Sequence, residues 1–162
     1  MNAATIRDME RASIREYVAR NASYLRGRVL DFGAGKPGTC RQPEPYRDLV
    51  QGEYFPFDVG DDFPAGPFDA VLMTQVIQYL HDPRQTLSQL EALLRGGGAL
   101  VITGPTNWAE VEVTDLWRFT RAGIRLLLET AGFRVLDVQQ RAEMDIGGFV
   151  MSVGWGAVAV KP

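Results

Sequence analysis

The sequence predicts an α/β fold organised on a mostly parallel sheet in one domain. Short apolar runs alternate with stretches of helical period. The first core run empties into a turn with glycines at 33, 35 and 38, where backbone can approach a ligand without a Cβ in the way. The 162 residues, 46% of them apolar, suffice for a single core, divided into an N-terminal helix over 1–25 and a ligand-binding core over 28–162.

Bulk chemistry narrows the partners. Lys and Arg total 17 against 20 Asp and Glu, a net charge of −3. That leaves no broad basic face for nucleic acid or an anionic bilayer, and it suits a small neutral or cationic substrate. One cysteine, Cys40, and one histidine, His81, exclude a disulfide framework and a zinc site of soft ligands, so no metal is expected. No apolar run reaches membrane-spanning length, and the start, with Arg7, Asp8, Glu10 and Arg11, lacks a signal-peptide core. A cytoplasmic chain is the expectation.

Residues 3–25 set Ile6, Met9, Ile14, Tyr17, Val18 and Leu25 close to a helical stripe with charges between them. Tyr17 and Tyr24 read as core packing ahead of ligand contact. The first strand, 28–32, ends in Asp31 and Phe32 before the glycine turn. The spacing Gly33, Gly35, Gly38 also fits a dinucleotide fingerprint, but a carboxylate two residues before the first glycine would repel a pyrophosphate there. Pro37 also removes an N–H from the helix start such a phosphate needs. A cofactor that carries a sulfonium and an ammonium, S-adenosylmethionine, is instead attracted by Asp31.

At these residues the chain resembles the class I S-adenosylmethionine-dependent methyltransferases, whose first motif is an acid, any residue, then Gly-x-Gly, matched by Asp31, Gly33 and Gly35. The resemblance is to the bacterial type 11-like small-molecule methyltransferases, and it implies a Rossmann-like, doubly wound, mostly parallel sheet with a C-terminal antiparallel hairpin. S-adenosylmethionine is the cofactor implied, held by Asp31, Gly33, Ala34 and Gly35. In such proteins the N-terminal helix lies across the cofactor cleft.

A proline-rich linker with Pro37, Pro43 and Pro45 leads to a helical turn over 46–50 and a second strand over 53–59. Asp58 follows Gly35 by 23 residues, the offset of a ribose-binding acid, with Val59 beside it. Only the nine residues 59–67 separate Asp58 from the next strand at 68–73, too few for a helix and a further strand. The sheet is therefore expected to be shortened around its third strand. The resemblance implies an acid for the adenine amino group and an apolar residue against its ring; Asp61 or Asp62, with Phe63, are the candidates.

The segment 68–83 resembles the family's fourth motif, which places Thr74 and Gln75 where the strand end meets the cofactor crevice. Relatives carry Glu-His where this chain has Gln78-Tyr79. His81 reads as a loop residue before Asp82 and Pro83, which cap and open a helix bearing Leu87, Leu90, Leu93 and Leu94 and ended by Gly96-Gly97-Gly98. A strand over 99–103 precedes a long connection, 104–119, of the kind that often carries function. Its end resembles a family segment at Asp115, Trp117, Arg118 and Thr120, and Thr120 caps a helix to Ala131, with Ile124, Leu127 and Leu128 inward, before Gly132. Strands over 133–138 and 149–160 flank a polar loop, and the implied topology turns Arg141, Glu143 and Asp145 to the pocket of Trp108 and Asp115.

The function expected is methyl transfer from S-adenosylmethionine to an oxygen, nitrogen or carbon of a small molecule, driven mainly by proximity. Asp115, Glu112 and Glu143 are the candidate bases, and Trp108, Trp117 and Arg118 the candidate substrate contacts. The alternative is a methyltransferase fold that binds without turnover, motivated by the short adenine region and by Gln78-Tyr79. An unpaired sheet edge beside the second strand makes a homodimer an expectation.

Overall fold

The computed structural model describes residues 3–35, 44–110 and 112–162, with backbone alone for 3 and 4. Lys36, Pro37, Gly38, Cys40 and Pro43 lie outside the described residues. Helix α1 (Ala3–Arg20) and a 3-10 turn, Ala22–Tyr24, lead into β1 (Arg26–Phe32). A second 3-10 turn, Arg47–Leu49, precedes β2 (Gln51–Phe57), and β3 (Phe68–Thr74) follows. Then come a 3-10 turn, Ile77–Tyr79, α2 (Pro83–Leu93), β4 (Leu94–Pro105), α3 (Arg121–Thr130), β5 (Arg134–Ile146) and β6 (Phe149–Val160).

The six strands form one sheet in the order β2-β1-β3-β4-β6-β5. The first four are parallel, and β6 inserts antiparallel between β4 and β5. This is a mixed α/β sheet closed by an antiparallel hairpin, the arrangement that the resemblance implies. Residues 58–67 contain neither helix nor strand, so β2 is the sheet edge, as the short spacing predicts.

Strand alternation sends side chains to two cores. Leu30, Val71, Leu100 and Ile102 join Leu87 and Leu90 of α2 and Ile124 and Leu128 of α3. Val29, Ala70, Leu72 and Val101 meet Ile14, Tyr17 and Val18 of α1 on the other face. The starts of α2 and α3 each have their own cap: Asp82 accepts from Gln85 N at 2.9 Å, and Thr120 accepts from Gly123 N at 3.0 Å. No helix is long and apolar enough to cross a membrane, among the described residues.

Two expectations are corrected. Helix α2 stops at Leu93, ahead of the glycines, and Leu94 already pairs with Phe68 as the start of β4. Gly97 and Gly98 then bond to Lys161 near the chain end, so the glycine trio forms an irregular strand entry. Residues 139–148 are not a polar loop. They continue β5 to a two-residue turn, Gly147-Gly148, both at positive φ (63° and 89°), which suits the mirror-image turns that join twisted strands. The ribbon was hidden in the sequence because exposed strand pairs need no apolar alternation.

Candidate functional site

The carboxyl ends of β1 and β3 open on a cavity of about 230 Å³. Asp31, the penultimate residue of β1, is 2% exposed and accepts a hydrogen bond from the Tyr54 hydroxyl at 2.6 Å. Burial pushes its carboxyl up to about 6, against the lowering effect of that bond. Next in the chain, Gly33 and Ala34 donate to Phe57 O at 2.8 and 3.1 Å, which ties the turn to the end of β2. Gly33 has φ +87° and a Cβ there would strike Val76 Cγ2, so the tight turn demands glycine twice over. Gly35, Tyr46, Thr74 and Gln75 complete the wall, with the Tyr46 hydroxyl bonded to Thr74.

Gln75 is the strained residue of this floor. It holds φ +55°, its N–H donates to Thr103 O at 3.1 Å, and its Nε2 donates to Thr103 Oγ1 at 3.4 Å. A second cavity, of about 130 Å³, shares Gln75 and is otherwise lined by Glu10, Gln78, Tyr79, Pro105, Trp108 and Asp115. A buried acid, a glycine cradle and two cavities meeting at one strand end form a ligand crevice at the place open α/β sheets provide one.

The family model for a methyltransferase domain matches residues 6–138. The chain belongs to this methyltransferase family. A curated relative, malonyl-[acyl-carrier protein] O-methyltransferase from Paenibacillus sp. (strain JDR-2), is 42% identical over 88 residues, which cover 51% of this chain. The match spans about a third, 32%, of that protein. Among solved structures, the methyltransferase in complex with the Trm112 activator from Haloferax volcanii has a TM-score of 0.66 at 20% identity, over 99% of this chain and 96% of that one. The 1,6-didemethyltoxoflavin-N1-methyltransferase of Burkholderia thailandensis, with bound 1,6-didemethyltoxoflavin and S-adenosylhomocysteine, has a TM-score of 0.65 at 19% identity, over 93% of this chain and 78% of that one.

Within this methyltransferase fold the other expected residues divide by position. Asp58 is half-buried just past β2, and its carbonyl accepts from Asp61 N at 3.2 Å in a turn that leaves Val59 and Asp62 exposed. Phe63 stacks on Phe32 (5.9 Å) and Phe57 (5.5 Å), so its ring packs on the molecule's own core. Asp115 and Arg118 form a bidentate pair at 2.5 and 2.7 Å, and the guanidinium also donates to the carbonyls of Trp108, Ala109 and Trp117. Arg118 therefore pins the 106–118 connection around itself. Trp117 donates Nε1 to Leu80 O at 2.8 Å and stacks on Phe119, a scaffold role, whereas Trp108 faces the second cavity.

The structure does not bring Glu143, Arg141 and Asp145 to Trp108 and Asp115. Glu143 lines a separate cavity with Ser13, Glu16, Arg20 and Arg121. Arg141 is 3% exposed and donates to Trp155 O, Ser13 Oγ and Gly104 O. Asp145 accepts from Gly148 N at the hairpin turn. His81 is exposed in the loop before α2.

Sequence reasoning missed Glu10, Tyr46, Tyr54 and Gln78. The signal for Glu10 was present: it shares a helical face with Ile14 and Tyr17, both buried against the sheet, so it is an acid on an inward face. Burial raises its carboxyl above the ordinary range, with Arg141 and Arg11 opposing.

Proposed function

We propose that this chain transfers the methyl group of S-adenosylmethionine to a small molecule, with the cofactor in the first cavity and the acceptor in the second. The observation that carries this reading is the meeting of the two cavities at Gln75, beside the buried Asp31 carboxyl and the glycine cradle. When bound, the cofactor supplies a cationic sulfonium whose methyl needs only an oriented nucleophile. Asp31 attracts the positive end of the cofactor, and the turn at Gly33 and Gly35 admits its backbone-close part. Asp58 accepts from the ribose hydroxyls. Asp62 and Phe63 stand at the adenine end, and Trp108 walls the acceptor.

Phe63 supports a second reading. Its ring is already stacked on Phe32 and Phe57, which leaves less apolar surface for an adenine and favours a fold that binds without turnover. Calorimetric titration with S-adenosylmethionine and its demethylated product, beside an Asp58→Ala variant and an NAD control, separates these. The expected outcome is micromolar binding, weakened tenfold or more in the variant. Binding of neither ligand overturns the methyltransferase reading, and cofactor binding with no product from any acceptor supports the second one.

A homodimer through β2 is proposed on the same footing. The strand is an open edge with Tyr54 and Phe55 half-buried, and Pro56 limits pairing to its first residues. Sedimentation at micromolar concentration is expected to return twice 18.0 kDa, and a strict monomer overturns it.

A further inference from the structure

The cavity beside the cofactor cleft is lined by groups that accept hydrogen bonds or attract cations. Its wall holds the carboxylates of Glu10 and Asp115, the carboxamides of Gln75 and Gln78, and the rings of Tyr79 and Trp108, with no Lys or Arg among the described lining residues. Arg118 already matches the charge of Asp115. Arg141, the larger cationic influence on Glu10, spends its donors on Trp155 O, Ser13 Oγ and Gly104 O. Glu10 makes no direct ion pair among the described residues, although Arg141 and Arg11 offset part of its charge from further off.

Gln78 gives an independent sign of a ligand. It is 4% exposed, its Nε2 is held by Gln75 O at 2.9 Å, and its Oε1 has no hydrogen-bond partner among the described residues. Buried acceptors without a donor are rare in folded proteins, because water has been given up with nothing in exchange. A turn of the carboxamide toward the cavity that Gln78 lines lets a donor on the ligand complete it.

Resting on the methyl-transfer reading, we propose that this cavity receives an amine on an apolar body, held by Glu10, Gln78 Oε1 and the ring faces of Tyr79 and Trp108, and that the amine nitrogen is methylated. Aromatic faces favour an ammonium through their ring quadrupoles. A carboxylate acceptor, by contrast, would meet the Glu10 carboxylate and no lining cation, and repulsion of that kind is how a site rejects a wrong substrate. Past Trp108 lies a cavity of about 430 Å³ where Ile6, Met144 and Val153 offer apolar surface for that body, with Arg7 and Glu110 also on the wall.

The proton and electron accounting closes with these groups. The incoming ammonium gives one proton to the Glu10 carboxylate, and the freed nitrogen lone pair forms the N–C bond. The C–S electron pair stays on the cosubstrate sulfur, and the proton leaves Glu10 for solvent. Burial, which raises the Glu10 carboxyl, suits it to hold that proton briefly.

The test uses phenethylamine, 2-phenylethanol and 3-phenylpropanoate, titrated by NMR into the full chain with and without saturating S-adenosylhomocysteine. The amine is expected to bind at least tenfold tighter than the alcohol and the carboxylate to bind weakest. Glu10→Gln is expected to bring amine and alcohol within threefold while leaving S-adenosylhomocysteine affinity unchanged. Equal binding of amine and alcohol by the wild-type chain, or preference for the carboxylate, overturns the proposal without any variant. Failure of S-adenosylhomocysteine to bind overturns the methyl-transfer reading instead, and the probe order measured in its absence still decides the amine preference.

Discussion

Asp31 shows how one buried carboxyl couples stability to ligand. Its folded value is about 6 against an ordinary 3.8, because burial outweighs the bond from Tyr54. Between those values the folded chain holds a proton that the unfolded chain has lost, so the stabilisation present below pH 4 is lost as pH rises through 6. Two pKa units correspond to about 3 kcal/mol. Asp31→Asn keeps a hydrogen-bond acceptor for Tyr54 and removes the titration. Urea unfolding should therefore show the variant more stable than wild type at pH 7.5, by about 1–3 kcal/mol, and the gap should close at pH 4. A constant gap would show that Asp31 is not the titrating group. A cationic ligand favours the ionised form, so binding near pH 6 should also release a proton, readable as a buffer-dependent heat. The acid and glycines of this turn were legible in the sequence because their chemistry is local. Tyr54 and Gln78 were not, since their roles come from a parallel strand pairing and from a contact across to the 106–118 connection, where Leu116 N donates to Gln78 O at 2.8 Å.

Among the elements, α1 decides whether the acceptor cavity exists, since it carries Glu10 to the sheet. Its seat is Gly156 on β6: a Cβ there would lie 2.5 Å from Tyr17 Cε1 and 2.6 Å from Cζ. Tyr17 is 1% exposed, so its ring has nowhere to turn and the helix must lift. Gly156→Ala is expected to cost about 1–3 kcal/mol in urea unfolding and to loosen amine binding more than cofactor binding. An unchanged unfolding midpoint would mean that α1 is not clamped at this point. Caps made the starts of α2 and α3 legible, because Asp82-Pro83 and Thr120 act within one turn of chain. The β5–β6 ribbon was not legible: Ile146, Phe149 and Val150 are exposed at its end, so burial leaves no period to read.

For the whole molecule, the count of residues between β2 and β3 was enough to foresee a shortened sheet, since chain length bounds topology. The second cavity was out of reach. It joins Glu10, Gln78, and Trp108 with Asp115 from three separate segments, and only the docking of α1 against the strand ends assembles them. A ligand that binds across such an assembly stabilises the entire fold by mass action, because the unfolded chain offers no crevice. At a concentration one hundred times its dissociation constant, S-adenosylhomocysteine should add about 2.7 kcal/mol. For a chain of this size that raises the melting temperature by roughly 5–11 °C. A tenfold loss of affinity in Asp58→Ala leaves about 1.4 kcal/mol at the same concentration, so the variant should show about half the shift, and NAD should show none. An undiminished shift in the variant would remove Asp58 from the ribose site while leaving the crevice at Asp31 intact. No shift in either protein would mean that the crevice at Asp31 does not hold this ligand.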